Sequence, residues 1–282
     1  MALSTKSKLL QLFTVFFLLT VLTIPMMGAT YFNNNAHASI KNPHEQPKKT
    51  SGHGNSLIEK PVLPPAIAEK KKGTAVGSQI PPTPARKVIY LTFDDGPEKF
   101  SGDLISLLDH YHAKATFFML DGNIRKYPEA VKRMVKDGEG VGLHGVTHDR
   151  KKFYASVESV LGEMNQDRKT LKEVTGVESF LIRTPYGSAP DMTPAYKQAV
   201  YQNKYLMWDW NIDSMDWFYR DHRYVTNVIA QIEKRKKQKG PLVVLMHERR
   251  ETLAQLPQLL NYLSSQHYEC KAIDSSMVPV HF

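Results

Sequence analysis

The sequence contains a β-branched apolar run that ends abruptly in two adjacent carboxylates. Residues 87–97 read KVIYLTFDDGP, so the run stops at Asp94 and Asp95, and a Gly-Pro pair then turns the chain away. An apolar run of this length bounded by turn residues predicts a buried strand. Adjacent strand residues point to opposite sides, so the two carboxylates can do different work at the carboxyl end of this strand. Taken alone, the pair also fits a solvated turn.

Helix-like and strand-like segments alternate about seven times from this run onward. Helical spacing of apolar residues is found in residues 101–112, 127–136, 155–174, 193–202, 223–237 and 252–264. Apolar runs typical of strands occupy residues 115–120, 139–143, 180–182, 205–212, 242–246 and 268–273. This alternation predicts an α/β fold with a parallel sheet and crossover helices, either a barrel or an open doubly wound sheet.

Polar clusters follow five of these apolar runs. They are Asp94 with Asp95, His144 with His148, Arg183, Asp213 with Asp216, and His247. The carboxyl ends of parallel strands meet at one rim, where folds of this kind build their active sites. The sequence therefore predicts that the five clusters converge.

The spacing of His144 and His148 suits a metal ion. Two imidazoles four residues apart reach one ion from a helical turn or a tight loop. One added carboxylate completes a three-ligand zinc site that stays open for water or substrate. A bound cation lowers the pKa of water and polarises a carbonyl oxygen, which suits hydrolysis of an amide or ester.

Such hydrolysis also needs a base, an acid and a group that stabilises the oxyanion. The second carboxylate of the Asp-Asp pair can be the base, with Arg183 beside it. His247 can be the acid if a carboxylate raises its pKa, and Asp213 is the available partner. A backbone N–H near Tyr186 could serve the oxyanion. The alternative for Arg183, Asp213 and Asp216 is an ion-pair network that supports loops.

Composition narrows the partners of the protein. The formal net charge is +9 over 282 residues, which favours an anionic neighbour such as a membrane surface or an acidic polymer. We expect no nucleic-acid partner, because the sequence has no helix-turn-helix pattern, finger spacing or aromatic RNA-binding motif. The single cysteine, Cys270, excludes an internal disulfide and a cysteine-rich zinc site. No protein partner is implied.

The N-terminus has the pattern of an export signal. Lys6 and Lys8 precede an apolar run at residues 9–29, and the small residues Ala36 and Ala38 follow at the spacing that a signal peptidase reads. The run is also long enough to span a bilayer, so residues 1–38 form either a cleaved signal or a retained membrane anchor. Both alternatives predict an exported bacterial protein that is secreted to the cell wall or tethered to the outer face of the plasma membrane.

Two further regions follow this segment. Residues 39–86 are polar, with several prolines and a lysine cluster and with no periodicity, which predicts a linker. Residues 87–282 form the predicted catalytic domain.

The polar clusters together resemble the five ordered motifs of the polysaccharide deacetylases, also called the NodB-homology domain or carbohydrate esterase family 4. The motifs are TFDDGP at residues 92–97, HxxxH at 144–148, RTPYG at 183–187, DSMDW at 213–217 and LMH at 245–247. The resemblance covers roughly residues 87–273. It implies a deformed (β/α) barrel of about seven strands and metal-dependent removal of acetyl groups from amino sugars.

The resemblance also implies roles for individual residues. The catalytic residues would be Asp94 as general base, His247 as general acid, Arg183 orienting Asp94, and Asp213 tuning His247. The metal ligands would be Asp95, His144 and His148. The oxyanion and acetyl pocket would be formed by the Tyr186 backbone, Trp217 and Leu245. We expect one divalent ion, zinc before cobalt, nickel or manganese.

Gly145 departs from the motif, since the family usually has Ser or Thr directly after the first metal histidine. Loss of a supporting hydroxyl weakens metal affinity roughly 10–100-fold at such sites. The leading hypothesis is an N-deacetylase of an N-acetylglucosamine polymer, foremost cell-wall peptidoglycan. The alternatives are a deacetylase of chitooligosaccharide, xylan or exopolysaccharide, and a wall-binding protein with a weakened site.

Overall fold

A curved sheet of parallel strands forms the centre of the protein in the computed structural model, which describes residues 87–282. Within these residues the strands are β1 (Lys87–Asp94), β2 (Ala115–Met119), β3 (Gly140–Leu143), β4 (Leu181–Ile182), β5 (Leu206–Met207), β6 (Ile212–Asp213), β7 (Leu242–His247) and β8 (Tyr268–Cys270). Seven of them run in the order β5-β4-β3-β2-β1-β7-β6, and β8 pairs with the start of β1. The predicted signal or anchor at residues 1–38 and the linker at 39–86 lie outside the described residues.

Helices connect the strands. In the described part of the chain they are α1 (Ser101–His110), α2 (Asp121–Lys126), α3 (Pro128–Lys136), α4 (Arg150–Phe153), α5 (Val157–Thr175), α6 (Pro194–Gln202), α7 (Asp216–Tyr219), α8 (Arg223–Arg235) and α9 (Arg250–Ser265). The prediction of a deformed (β/α) barrel is confirmed. No helix within residues 87–282 is both long and apolar enough to cross a bilayer.

The predicted single strand at residues 205–212 is wrong. The structure divides it into β5 and β6, because the ladder that joins β5 to β4 stops after Trp208. The next N–H, that of Asp209, donates instead to the carbonyl of Val280. The carbonyls of Trp208 and Asp209 both accept hydrogen bonds from Arg183. The polar contacts of this segment therefore replace strand pairing.

The strand β1 is central because it is buried on both faces. Ile89, Leu91 and Phe93 are almost wholly inaccessible, and so are Thr92 and Asp94, which alternate with them. Parallel strands covered by crossover helices have this two-sided burial. A buried polar residue needs a partner, and the Thr92 hydroxyl donates to the Val244 carbonyl on β7 at 2.6 Å.

The long helix α5 lies behind the rim of the sheet. Its N-cap is Ser156, whose hydroxyl accepts the Ser159 N–H, and its C-cap is Gly176 in the left-handed conformation, with φ of 75°. Such caps satisfy backbone groups that a helix leaves free at its ends. The buried Met164 and Leu171 anchor the helix to the core. Polar residues one helical turn apart on α5 then face the rim.

Candidate metal centre and active site

Strand register brings the predicted polar residues to one rim. Asp94 at the end of β1 stands opposite His247 at the end of β7, and Asp213 on β6 stands opposite Leu245. A cavity of about 420 Å³ opens there. Its walls include nine of the ten predicted site residues, namely Asp94, Asp95, His144, His148, Tyr186, Asp213, Trp217, Leu245 and His247. The tenth, Arg183, is buried and contacts Asp94.

Asp95, His144 and His148 converge on one point. The Nε2 atoms of His144 and His148 lie 3.6 Å and 3.4 Å from Oδ1 of Asp95, and three ligand atoms from these residues lie within 4.8 Å of one another. Ligands bound to zinc at about 2.0–2.1 Å with tetrahedral angles are themselves about 3.3 Å apart. The spacing therefore fits ligands that share a small cation.

A second observation supports the same fit. Oδ1 of Asp95 is buried and has no hydrogen-bond partner among the described residues. A buried carboxylate oxygen without a partner carries a large desolvation cost, which a bound cation offsets. The residues present therefore fit the divalent ion that the resemblance implies.

The backbone conformation at Asp95 turns its carboxylate toward the two imidazoles. Asp95 has φ of 71°, in the left-handed region that aspartate adopts more readily than most residues. The side-chain amide of Asn123 donates to the Asp95 carbonyl at 2.7 Å and holds this turn.

The tautomer of His144 follows from its hydrogen bond. Nδ1 of His144 lies 2.7 Å from the carbonyl of Arg183, so Nδ1 carries the proton and donates it. Nε2 then has a free lone pair on the side of Asp95, which is the arrangement that a metal-binding histidine needs. His148 is held by its backbone, since its carbonyl accepts the Tyr186 hydroxyl at 3.0 Å. Burial, and then the neighbouring His144, lower the pKa of His148, which favours its neutral form.

Two carboxylates of α5 support the loop that joins the histidines. Oδ2 of Asp167 accepts the N–H groups of His144 and Gly145, at 3.0 and 2.9 Å. Glu163 accepts the N–H groups of Val146 and Thr147, both at 2.9 Å. Burial raises the pKa of Asp167 well above its usual value. Sequence reasoning missed both supports, since they lie 15 or more residues from the ligands along the chain.

The backbone conformation and the close neighbours of residue 145 favour glycine at this position. Its φ is 91°, and an added Cβ would lie 3.0 Å from the Phe153 ring and 3.2 Å from Oε2 of Glu163. Serine or threonine is strained at such a φ and meets these neighbours. The Thr147 hydroxyl instead donates to Oε1 of Glu163 at 2.7 Å. Support that the motif usually draws from the residue after the histidine is thus supplied two residues later.

Arg183 and Asp94 form a buried pair beside the three candidate ligands. Nη1 of Arg183 lies 2.9 Å from Oδ1 of Asp94, and it also donates to the Thr92 hydroxyl at 2.7 Å. The other carboxylate oxygen of Asp94 lies 3.9 Å from Nε2 of His144. Arg183 therefore contacts Oδ1 of Asp94, and Oδ2 lies on the side of the candidate ligands.

The carboxylate partner of His247 is Asp216, so the assignment of this contact to Asp213 is wrong. Oδ1 of Asp216 lies 2.8 Å from Nδ1 of His247, and its Oδ2 accepts the His247 N–H and the Thr252 hydroxyl. The chain turns at Met215, where φ is 56°, and this turn aims Asp216 at β7. Asp213 instead accepts the Met215 N–H at 2.8 Å while lining the cavity.

Opposing effects act on the pKa of His247. Burial of the ring lowers its pKa. The hydrogen bond and the negative charge of Asp216 raise the pKa by more than burial lowers it, so the net pKa is above the ordinary value. For Asp216 the signs are reversed. Burial raises the pKa of this carboxyl group, but the hydrogen bonds from His247 and Thr252 and the charge of His247 bring it below the ordinary value. The pair is therefore an imidazolium beside a carboxylate over a wider pH range than for an isolated histidine.

The remaining predicted residues form the cavity wall. The Tyr186 N–H has no acceptor among the described residues, and φ of 68° places Tyr186 in the left-handed region. The Tyr154 hydroxyl holds this loop by donating to the Pro185 carbonyl at 2.7 Å. Leu245 is buried and Trp217 is half exposed at the rim. Three residues outside the ten predicted site residues also line the wall, namely Gly187, Trp210 and Arg249.

Glu248 is a buried carboxyl group next to the site that sequence reasoning missed. Its N–H donates to the Asp94 carbonyl and its side chain accepts the Ser101 hydroxyl, while Oε1 has no partner among residues 87–282. Burial raises the pKa of Glu248 to about 8. Gly96 leaves the room for this side chain, since an added Cβ would overlap Oε1.

We expect Glu163→Gln to weaken metal binding by roughly tenfold or more, because the loop between the histidines loses its charged acceptor. Titration of zinc into metal-stripped protein by calorimetry measures this affinity. Glu173→Gln is the matched control, as it removes the same charge from an exposed position of α5. Equal affinities for the two variants would contradict the supporting role of Glu163.

Glu248→Gln is expected to flatten the pH dependence of stability. The folded protein keeps this carboxyl protonated up to about pH 8, whereas the unfolded chain releases the proton above about pH 4.5. The free energy of unfolding therefore falls as pH rises between these values, by on the order of 3 kcal/mol for the wild-type residue. Denaturant unfolding at pH 5 and pH 8 measures the difference. The exposed Glu251→Gln is the control, and a slope that Glu248→Gln leaves unchanged would contradict the prediction.

Comparison with known proteins shows which family this chain resembles. The family profile described as polysaccharide deacetylase matches residues 82–204. YheN of Bacillus subtilis, whose name places it among the polysaccharide deacetylases, is 43% identical over 197 residues, covering 69% of this chain and 70% of that protein. A peptidoglycan-N-acetylglucosamine deacetylase of Bacillus cereus is 38% identical over 202 residues, covering 70% of this chain and 73% of that protein.

A solved structure has the same fold. The crystal structure of the polysaccharide deacetylase Bc1974 from Bacillus cereus superposes with a TM-score of 0.65 at 35% identity, covering 70% of this chain and 97% of the other. The similarity in sequence extends over most of the described residues, and the similarity in structure extends over nearly all of that neighbour. This chain therefore belongs to the polysaccharide deacetylase family of hydrolases.

Proposed function

We propose that the protein removes N-acetyl groups from an N-acetylglucosamine polysaccharide, with cell-wall peptidoglycan as the substrate, and that the reaction depends on one divalent metal ion. The observation that carries the proposal is the convergence of Asp95, His144 and His148 beside Asp94 and His247 in one cavity. Peptidoglycan is favoured by the name of the Bacillus cereus relative and by the basic charge of the chain.

Asp95, His144 and His148 would hold the ion, for which we propose zinc, with cobalt, nickel or manganese as alternatives. When bound, such an ion acidifies water and polarises a carbonyl oxygen. Asp94 accepts the proton of the attacking water, and Arg183 fixes the direction of its carboxylate. The Tyr186 N–H donates to the oxygen that becomes negative as the amide carbon turns tetrahedral.

Cleavage of an amide requires protonation of the departing nitrogen. His247 supplies this proton, because Asp216 keeps its imidazole charged and fixes its ring through Nδ1. The free Nε2 is then the proton donor. Leu245 and Trp217 provide apolar surface for the acetyl methyl group in the cavity that they line. Acetate and a free amine on the sugar are the products.

The N-terminal pattern motivates the cellular part of the proposal. We infer that residues 1–38 direct export and that the catalytic domain acts at the cell wall, either secreted or tethered through residues 9–29. The alternative of a wall-binding protein with a weakened site was based on Gly145, which lacks the hydroxyl that usually supports the metal site. Thr147 and Glu163 supply the support for the loop that this glycine lacks, so we favour an enzyme.

The purified protein is expected to release acetate from N-acetylated wall glycan or chitooligosaccharide, because both present the amide that the cavity accommodates. A chelator should abolish the release, and added zinc or cobalt should restore it. Asp95→Ala is expected to lower kcat/KM by about a hundredfold or more. Asp109→Ala, an exposed carboxylate of α1, is the control. Undiminished activity of Asp95→Ala would refute the metal role.

Asp216→Asn is expected to shift the alkaline limb of the pH–rate profile to lower pH by about one to two units. His247 must be protonated to donate, so activity is lost as pH rises through its raised pKa. Without the carboxylate, burial lowers that pKa. Acetate release measured from pH 5 to pH 10 gives the profile. Asp213→Asn is the matched comparison, and a larger shift for that variant would restore Asp213 as the tuning residue.

A further inference from the structure

Arg249 is a cation of the cavity wall that has no role in the chemistry above. Among the described residues that line the cavity it is the single arginine or lysine. It precedes the first residue of α9, and its N–H donates to the carbonyl of His247 at 2.8 Å, which fixes its backbone beside the site. Its side chain is about one-third exposed.

The guanidinium of Arg249 is only partly compensated by the described residues. Its nearest carboxylate oxygen is Oδ2 of Asp95 at 3.7 Å, which is beyond hydrogen-bond length. Nε is buried, and no hydrogen-bond partner for it exists among residues 87–282. A buried N–H without an acceptor is costly, so the described residues leave the guanidinium of Arg249 incompletely paired. Arg183, by contrast, donates to Thr92, Asp94 and two carbonyls, and has little capacity for a ligand.

A cation on Asp95 would leave Arg249 with still less compensation. The negative charge of Asp95 would then be shared with the ion, and the guanidinium would stand near a second positive charge. An anionic group from outside offsets both charges. A guanidinium presents parallel donors that match a carboxylate in geometry as well as in charge.

We propose that Arg249 recognises a carboxylate on the glycan, close to the sugar that loses its acetyl group. The protein is then selective for acidic acetylated glycans, such as wall glycan with lactyl or peptide carboxylates, over neutral polymers of N-acetylglucosamine. This inference rests on the proposed function for the identity of the glycan.

The test compares one polymer in two charge states. Peptide-free wall glycan with intact lactyl carboxylates is assayed beside the same glycan after its carboxylates have been converted to amides. Arg249→Gln is expected to lower kcat/KM about tenfold on the acidic glycan and less than twofold on the amidated one. Arg249→Lys should retain part of the preference, because it keeps the charge and loses the paired donors.

Arg250→Gln is the matched control. It removes the same charge from the next residue, which is exposed and lies over the Phe100 ring outside the cavity. It should leave both rates unchanged. An equal loss on both glycans for Arg249→Gln, or a loss of zinc affinity beyond about threefold by calorimetry, would overturn the proposal, since either result means that Arg249 serves Asp95.

Binding without turnover separates this inference from the proposed function. Calorimetry with the two glycans in an Asp94→Asn background measures the preference directly, and adding Arg249→Gln should abolish it. Wild-type protein that releases no acetate while this preference persists would refute the deacetylase proposal and leave the role of Arg249 standing. Equal binding of the two glycans by the Asp94→Asn protein would refute the role of Arg249.

Discussion

The buried guanidinium of Arg183 connects the separate parts of the site. A charge without solvent contact is tolerated when every donor is paired, and Arg183 binds Asp94, Thr92 and the carbonyls of Trp208 and Asp209. Its guanidinium also lies over the Phe118 ring at 4.3 Å. The carbonyl of Arg183 itself accepts Nδ1 of His144. One residue thus orients the candidate base and sets the tautomer of a candidate ligand.

Several residues of the rim adopt backbone conformations that side chains disfavour. Asp95, His148, Tyr186 and Met215 have φ between 48° and 71°. Each costs roughly 1–2 kcal/mol relative to an ordinary conformation. Hydrogen bonds from elsewhere hold them, such as Asn123 to the Asp95 carbonyl and the Tyr186 hydroxyl to the His148 carbonyl. The rim is therefore strained at the positions that aim functional groups, and the surrounding polar contacts make that strain tolerable.

Sequence reasoning predicted the site residues correctly where their position at a strand end and the parallel pairing of the strands bring them together. Asp94, His144 and His247 each stand at or just after the carboxyl end of a strand, and parallel pairing of these strands collects them at one rim. Sequence reasoning failed where the conformation of a turn determines which side chains meet. Whether Asp213 or Asp216 reaches His247 depends on the positive φ of Met215, which strand periodicity cannot reveal.

Supports that lie far away in the sequence were equally inaccessible to pattern reading. In the sequence, Glu163 and Asp167 look like any other polar residues of a helix. They contact the loop between His144 and His148 only because α5 packs behind the rim. The break in the predicted strand at residues 205–212 has a similar origin. Arg183 and Val280 take the polar groups of this segment from distant parts of the chain.

The two cavity histidines with shifted pKa values show how the environment, rather than the residue type, divides chemical roles. His148 is partly buried beside His144, and its pKa is lowered, which suits a neutral ligand with a free lone pair. His247 is buried more deeply, yet the bonds from Asp216 outweigh burial and raise its pKa, which suits a proton donor. Paired groups with opposite shifts are the arrangement by which acid and ligand chemistry coexist near neutral pH. Because the hydrogen bond and charge of Asp216, 2.8 Å from Nδ1, are the largest effects that raise the pKa of His247, the placement of Asp216 matters for the chemistry as well as the identity of His247.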